Sequence, residues 1–191
     1  MAPDIEGSQI RMMNSLTRSV IAFATALLAV TTIGAQSGTV SGTFAVNGKD
    51  VRLQHISVVT YDTPSQGRLI SILASDKPPD HKKFVEYVGP DEKPVPGLVT
   101  GAWTALHAED KAFDGFQFTI TPNRQIMLND VLVGGRNDTF SIIDDALVLE
   151  ITSTSTRVAG RIRTKDPVAD LGSQKVGLDL TFDAPVCWAS S

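Results

Sequence analysis

The chain has 191 residues, with 17 lysines and arginines against 21 aspartates and glutamates, a formal net charge of −4. That mildly acidic balance, with no basic stripe, argues against nucleic acid or an anionic membrane as partner. Cys187 is the single cysteine, which excludes an intrachain disulfide, thiolate zinc centres and CxxC redox chemistry.

In chain order, the first element is a leader. "VIAFATALLAV" (20–30) carries no charge, follows Arg11 and Arg18, and ends in the small-residue exit "TTIGAQSG". A positive region, a short apolar core and such an exit describe a signal-peptide helix with cleavage after Ala35 or Ser37. The run is shorter than the roughly 20 residues a bilayer span needs. Met12 or Met13 would make a better start than the acidic prefix before them. Residues 1–37 are therefore set apart as prefix and signal peptide, and residues 38–191 are expected to form a single all-β domain, exported to the periplasm or beyond the cell.

"TFAVNGKDVRL" (43–53) alternates into Asn47-Gly48 and out again, which predicts a hairpin with a type I′ turn, where both central residues need positive φ. Further strands are expected at "VRLQHISVVTY", "RLISILAS", "FVEYV", "LVTGAWTAL", "FDGFQFTIT", "QIMLNDVLV", "DTFSII", "ALVLEITST", "TRVAGRIRT" and "KVGLDLTFDAPV". "DKPPDHKK" and the three-proline stretch "GPDEKPVPG" break the series as loops. In "KVGLDLTFDAPV", Val176, Leu178, Leu180 and Phe182 share one face and Gly177, Asp179, Thr181 and Asp183 the other, the pattern of a sheet wet on one side. Turn signals at such spacing, with no room for crossover helices, predict an antiparallel β-sandwich, or alternatively a β-barrel, of about 8–10 strands. Trp103 is expected in the core, Cys187 as a buried free thiol beside Val186 and Trp188, and "TSTSTRVAG" as an edge or outer strand.

The stretches "SGTFAVNGKDVRLQH", "ISILASDKPP", "FDGFQFTI" and "VAGRIRT…VGLDLTFDAPV" together resemble the layout of a family of exported bacterial β-rich proteins. Those combine a signal peptide, an Asn-Gly-Lys hairpin, an Asp-Lys-Pro turn and a Gly-rich late strand before a closing "TF-A-P". The resemblance implies the β fold and bacterial export, and it assigns no catalytic residue.

For chemistry, the three histidines His55, His81 and His107 stand 26 residues apart, so no HxH, HxxxH or HExxH spacing exists. The Pro-rich loop supplies the best metal-ligand candidates, Asp76, Asp80 and His81, with His107 able to join them in space. Asp130, Asp138, Asp144 and Asp145 match no EF-hand loop. No GxSxG, GxGxxG or GxxxxGK[ST] occurs, so neither a nucleophile elbow nor a nucleotide or other cofactor site is expected. The leading expectation is a non-catalytic binding or structural component of the cell envelope or periplasm, with an unknown protein or small ligand as partner. The competing one is a secreted hydrolase or metal-dependent enzyme with a loop-built site around residues 76–83 and 107.

Overall fold

The computed structural model describes residues 38–89, 95–109, 113–134, 139–142 and 144–190, with the side chains of 144 and 188–190 left out of the description. The expected signal peptide lies outside the described residues, as does Asp138.

The described chain is all-β in class, with two short helices set into it. Its strands are β1 (Thr39–Val46), β2 (Lys49–Asp50), β3 (His55–Thr63), β4 (Gly67–Ser75), β5 (Gly115–Ile120), β6 (Ile126–Leu132), β7 (Leu147–Ser153), β8 (Arg157–Thr164), β9 (Ala169–Asp170) and β10 (Lys175–Ser190). The helices α1 (His81–Val88) and α2 (Pro96–Ala108) both lie between β4 and β5. The strands join in a continuous path β2-β1-β10-β3-β4-β5-β6, with β8 also on β10, β7 on β8 and β9 on β10.

β10 is the organiser. Its first part pairs antiparallel with β1 (Phe44↔Leu178, Thr39↔Asp183) and with β8 (Asp179↔Arg163, Pro185↔Arg157). Beyond Pro185 it pairs parallel with β3, from Val186↔Val58 to Ser190↔Tyr61, with a register shift between Val186 and Trp188. The all-antiparallel expectation is thus corrected: the sheet is mixed. Proline has no N–H to give a ladder, and Pro185 stands where β10 passes from one set of partners to the other.

The alternation read in β10 is the packing that forms. Val176, Leu178, Leu180 and Phe182 are buried with Phe44, Val158 and Ile162 against Ile56, Val58, Ile72, Phe116, Phe118 and Ile120 of β3–β5. Phe118 meets Phe182 edge-on, with ring centroids 5.9 Å apart, and Phe116 stacks on Phe118 at 5.5 Å. β3, β4 and β5 are buried on both faces because the helices cover the far one. Val59, Tyr61, Leu69, Leu73 and Leu132 pack there against Phe84, Val88, Val99, Trp103 and Leu106.

Those helices replace two expected strands. "FVEYV" falls in α1, started by Asp80, whose Oδ1 accepts from the backbone N–H groups of Lys82 and Lys83 at 3.0 and 3.1 Å. Phe84 and Val88, four residues apart, make its buried edge. "LVTGAWTAL" falls in α2, which has Pro96 in its first turn and buries Val99, Ala102, Trp103, Leu106 and His107, the i, i+3, i+4, i+7, i+8 spacing of one helical face. "DTFSII" forms no ladder among the described residues beyond a single bridge, Val131↔Phe140. Cys187 is exposed rather than buried, because the inward positions of β10 are the even-numbered ones. Trp103 is in the core as expected. β7, ending in the Ser/Thr-rich stretch, pairs only with β8 among the described residues and so forms an outer edge.

The Asn-Gly turn forms with both residues at positive φ, Asn47 at 52° and Gly48 at 75°. Its two flanking pairs are Val46↔Lys49 and Ala45↔Asp50; after Asp50 the chain leaves to start β3 elsewhere in the sheet, so the hairpin is shorter than the sequence suggested. Asn47 also clips the turn to the start of β10: its N–H donates to the Lys175 carbonyl at 2.7 Å and its Oδ1 accepts from the Lys175 N–H at 2.8 Å. A Cβ at Gly48 would meet nothing within 4 Å, so backbone conformation alone decides what a side chain costs there. Gly48→Val is expected to lower the melting temperature by several degrees more than Asp50→Ala, since a β-branched residue strongly resists positive φ. Equal melting temperatures for the two variants would refute this role of the turn.

Candidate functional site

The structure commits the sequence-derived candidates to separate local bonds. Asp76 closes the chain across β4 and β5: its Oδ1 accepts from the Asp114 N–H at 2.7 Å, and its own N–H donates to the Asp114 carbonyl at 2.9 Å. Asp80 is the cap of α1. His107, fully buried, holds the Phe113 carbonyl at 2.6 Å through Nδ1, which must carry the proton since a carbonyl only accepts. His81 Nε2 lies 2.8 Å from Ser57 Oγ, and its ring meets Trp103 edge-on at 6.3 Å. Among the described residues no group of three His, Cys, Asp or Glu side chains is placed to hold a metal ion. Asp130 accepts from Gln117 Nε2 at 2.8 Å and from Ser141 Oγ at 2.9 Å, joining β5 and β6.

The Ser57–His81 pair is the one contact here with the look of chemistry. Desolvation over the sheet holds the His81 pKa below its ordinary 6.5, with the Asp80 carboxylate pulling the other way. The ring is therefore neutral near pH 7. As pH falls below 6.5 the unfolded chain takes up the proton first, so stability is lost between about pH 7 and the lower folded value. His81→Gln is expected to flatten that part of the stability-against-pH curve, measured by denaturant midpoints at pH 7 and pH 5. An unchanged slope would show that other groups carry it.

A different surface has the shape of a ligand site, and sequence reasoning missed it. The outward side chains of β1, β10 and β8 line up in rows: Thr43, Asp179 and Arg163 in one, Ser41, Thr181 and Arg161 in the next, with Ala45 beside Gly177 at the end. Over that end folds the segment after β8. A Cβ on Gly177 would lie 3.0 Å from the Pro167 carbonyl oxygen, so the missing side chain leaves a floor open. The result is a groove of about 630 Å³ lined by Thr43, Ala45, Arg161, Arg163, Gly177 and Asp179, with Lys165, Pro167 and Val168 along its rim. Its size falls in the range of small-molecule sites.

Charge in the groove is unevenly matched. Arg161 grips Asp179 with both ends of its fork, Nε to Oδ1 at 2.7 Å and Nη2 to Oδ2 at 2.6 Å; that bond is the main reason the Asp179 carboxyl is held below, and the Arg161 guanidinium above, its ordinary value. Arg157 pairs with Asp183 at 2.7 Å. Arg163, half-buried and directly opposite Asp179 in register, has no carboxylate within 4 Å among the described residues, and neither has Lys165. Alternation along β8 puts Arg161 and Arg163 on one face; only the register shows that the diagonal Arg161 holds both oxygens of Asp179, while the facing Arg163 acts on that carboxylate through charge alone.

These features define an all-β protein with a helix-covered face and a basic groove on the opposite, outer face of the strands around β10. No family model, no curated protein and no solved structure matches the chain. Among the described residues no helix is long and apolar enough to cross a membrane.

Proposed function

We propose that residues 38–191 act as one exported, non-catalytic domain of the periplasm, cell envelope or extracellular space, built as a sandwich closed by β10, and that it works by binding in the groove beside Gly177. The observation that carries this reading is Arg163: a half-buried residue lining the groove, its guanidinium without a carboxylate within 4 Å among the described residues. The leader supports export, and the engagement of Asp76, Asp80, His81 and His107 in bonds that hold the chain together favours binding over catalysis.

The test has two readouts. Expressed in a bacterium with its own leader, the protein is expected in the periplasmic or secreted fraction with a new N-terminus after Ala35 or Ser37; untrimmed protein in the cytoplasm would overturn export. Titrating the isotope-labelled mature protein with a low-mass extract of the cell envelope is expected to shift the backbone amide signals of Thr43, Arg163 and Gly177. Shifts gathered instead around Ser57, His81 and His107 would overturn the groove.

That second outcome belongs to a second reading, a secreted hydrolase or metal-dependent enzyme, favoured by the 2.8 Å contact of Ser57 with His81. Ser57 is 2 % exposed, so a substrate carbonyl reaches its hydroxyl only if α1 moves aside. Ser57 is expected to form no adduct with a fluorophosphonate probe in the folded protein, and an adduct detected by mass spectrometry would favour the enzyme.

A further inference from the structure

Resting on the groove as the binding surface, we propose that its occupant is a small organic carboxylate with an apolar tail. The headgroup follows from a surplus of positive charge, since Arg161, Arg163 and Lys165 line the groove with Asp179 as the carboxylate among them. The chain as a whole carries −4, so a local positive excess at Arg163 and Lys165 does not come from composition. Arg163 feels Asp179 through charge but makes no ion pair within 4 Å among the described residues, so its fork can grip a carboxylate with two parallel N–H···O bonds, the geometry in which guanidinium recognition is strongest. Lys165, exposed at the rim, adds a second positive charge, tempered by its exposed neighbour Asp166.

The choice of a monoanion over a dianion comes from Asp179. Its carboxylate lines the same groove opposite Arg163. Although both oxygens are engaged by Arg161, their charge repels a doubly charged phosphate more than a singly charged carboxylate. The tail follows from the other wall. Val168 is 52 % exposed, one of few large apolar residues so placed, and with Pro167 and Ala45 it lines the groove, Ala45 and Pro167 both lying beside Gly177. An acyl chain lying there would cover apolar surface that now faces water, at about 25 cal/mol per Å² covered.

The experiment uses the mature protein and four probes: octanoate, acetate, octyl phosphate and inorganic phosphate, each followed by amide shifts and calorimetry. Octanoate is expected to shift Ala45, Arg163 and Gly177 saturably, to bind more tightly than acetate and octyl phosphate, and to weaken about tenfold in Arg163→Gln. Arg163→Gln should keep its parent's melting temperature to within about two degrees, as surface changes usually do, which separates lost binding from lost fold. Octyl phosphate binding more tightly than octanoate would overturn the carboxylate, and acetate binding as well as octanoate would overturn the tail. If the envelope extract moves the groove amides while octanoate moves nothing, the ligand class falls and the binding reading stands. If neither moves them, both fall.

Discussion

Gly42→Ala is expected to destabilise the protein strongly, although Gly42 is an exposed residue of β1. Its exposure would ordinarily mark it as tolerant, since surface substitutions mostly stay within about 0.5 kcal/mol. Two facts reverse that. Its φ is 126°, a backbone conformation that side chains rarely adopt, and a Cβ built there would sit 1.9 Å from the carbonyl oxygen of Asp179 on the neighbouring strand. That atom belongs to the β1–β10 ladder, where Gly42 faces Leu180, and β10 in turn holds β8 and β3. Relief therefore requires prising β1 away from the strand on which the sheet is organised. A loss of about 4 kcal/mol or more follows, the range reserved for overpacking and backbone strain. For a domain of this size that is a fall of roughly 8–16 °C in melting temperature. Ser41→Ala, one residue away and also exposed, is the control and should stay within about two degrees. A Gly42→Ala protein melting with its parent would show that β1 and β10 are not paired in this register.

How far the sequence discloses the molecule depends on whether one face or two are buried. β10 and β1 are wet on one side, and there the period of two reads directly as structure, down to which residues turn inward. The Asn47-Gly48 turn was legible for the same local reason, since its φ requirement is written into two residues. β3 and β5 are buried on both faces, so their apolar runs give no hint of what covers them. What covers them is α1 and α2, and here composition misled. α2 carries Val99, Thr100, Trp103 and Thr104, residues that favour strands, and tertiary burial of one helical face overrides that preference. Its signal was the spacing Val99, Ala102, Trp103, Leu106 with Pro96 ahead of it, a helical period that a strand reading leaves unexplained. The parallel join of β10 to β3 had no local signal, because it depends on where a long strand outruns its antiparallel partners. The groove was hidden for a related reason: Arg163, Gly177 and Pro167 come from separate segments, and only the register brings them together.

Trp103→Ala is expected to detach the helices while leaving the strands around β10 in place. α1 has eight residues and α2 thirteen, too short to persist alone in water, so both depend on what they bury. Trp103 is the centre of that contact: fully buried, stacked on Phe84 of α1 with ring centroids 3.8 Å apart, and packed in the cluster with Tyr61, Leu69 and Leu73 of the sheet. Truncating a buried tryptophan to alanine costs about 3–5 kcal/mol through lost contact and the cavity left behind. The loss falls on one cluster, separate from the Phe44–Phe116–Phe182 core that fixes β1, β8 and β10. Amide exchange is therefore expected to quicken across α1 and α2 while β8 and β10 stay protected. Trp103→Phe should be far milder, because the indole Nε1 has no hydrogen-bond partner among the described residues, and burial without one is a cost the phenyl ring does not carry. Around it the buried Tyr61 hydroxyl and Ser71 hydroxyl are likewise without a hydrogen bond of good geometry; burial pushes the Tyr61 pKa up to about 12 despite the opposing pull of Thr119. So a polar layer under α2 already spends part of the stability that Trp103 supplies, and removing the ring leaves that layer with little to hold the helices over it. Loss of protection in β8 and β10 equal to that in the helices would show instead that the molecule unfolds as one unit.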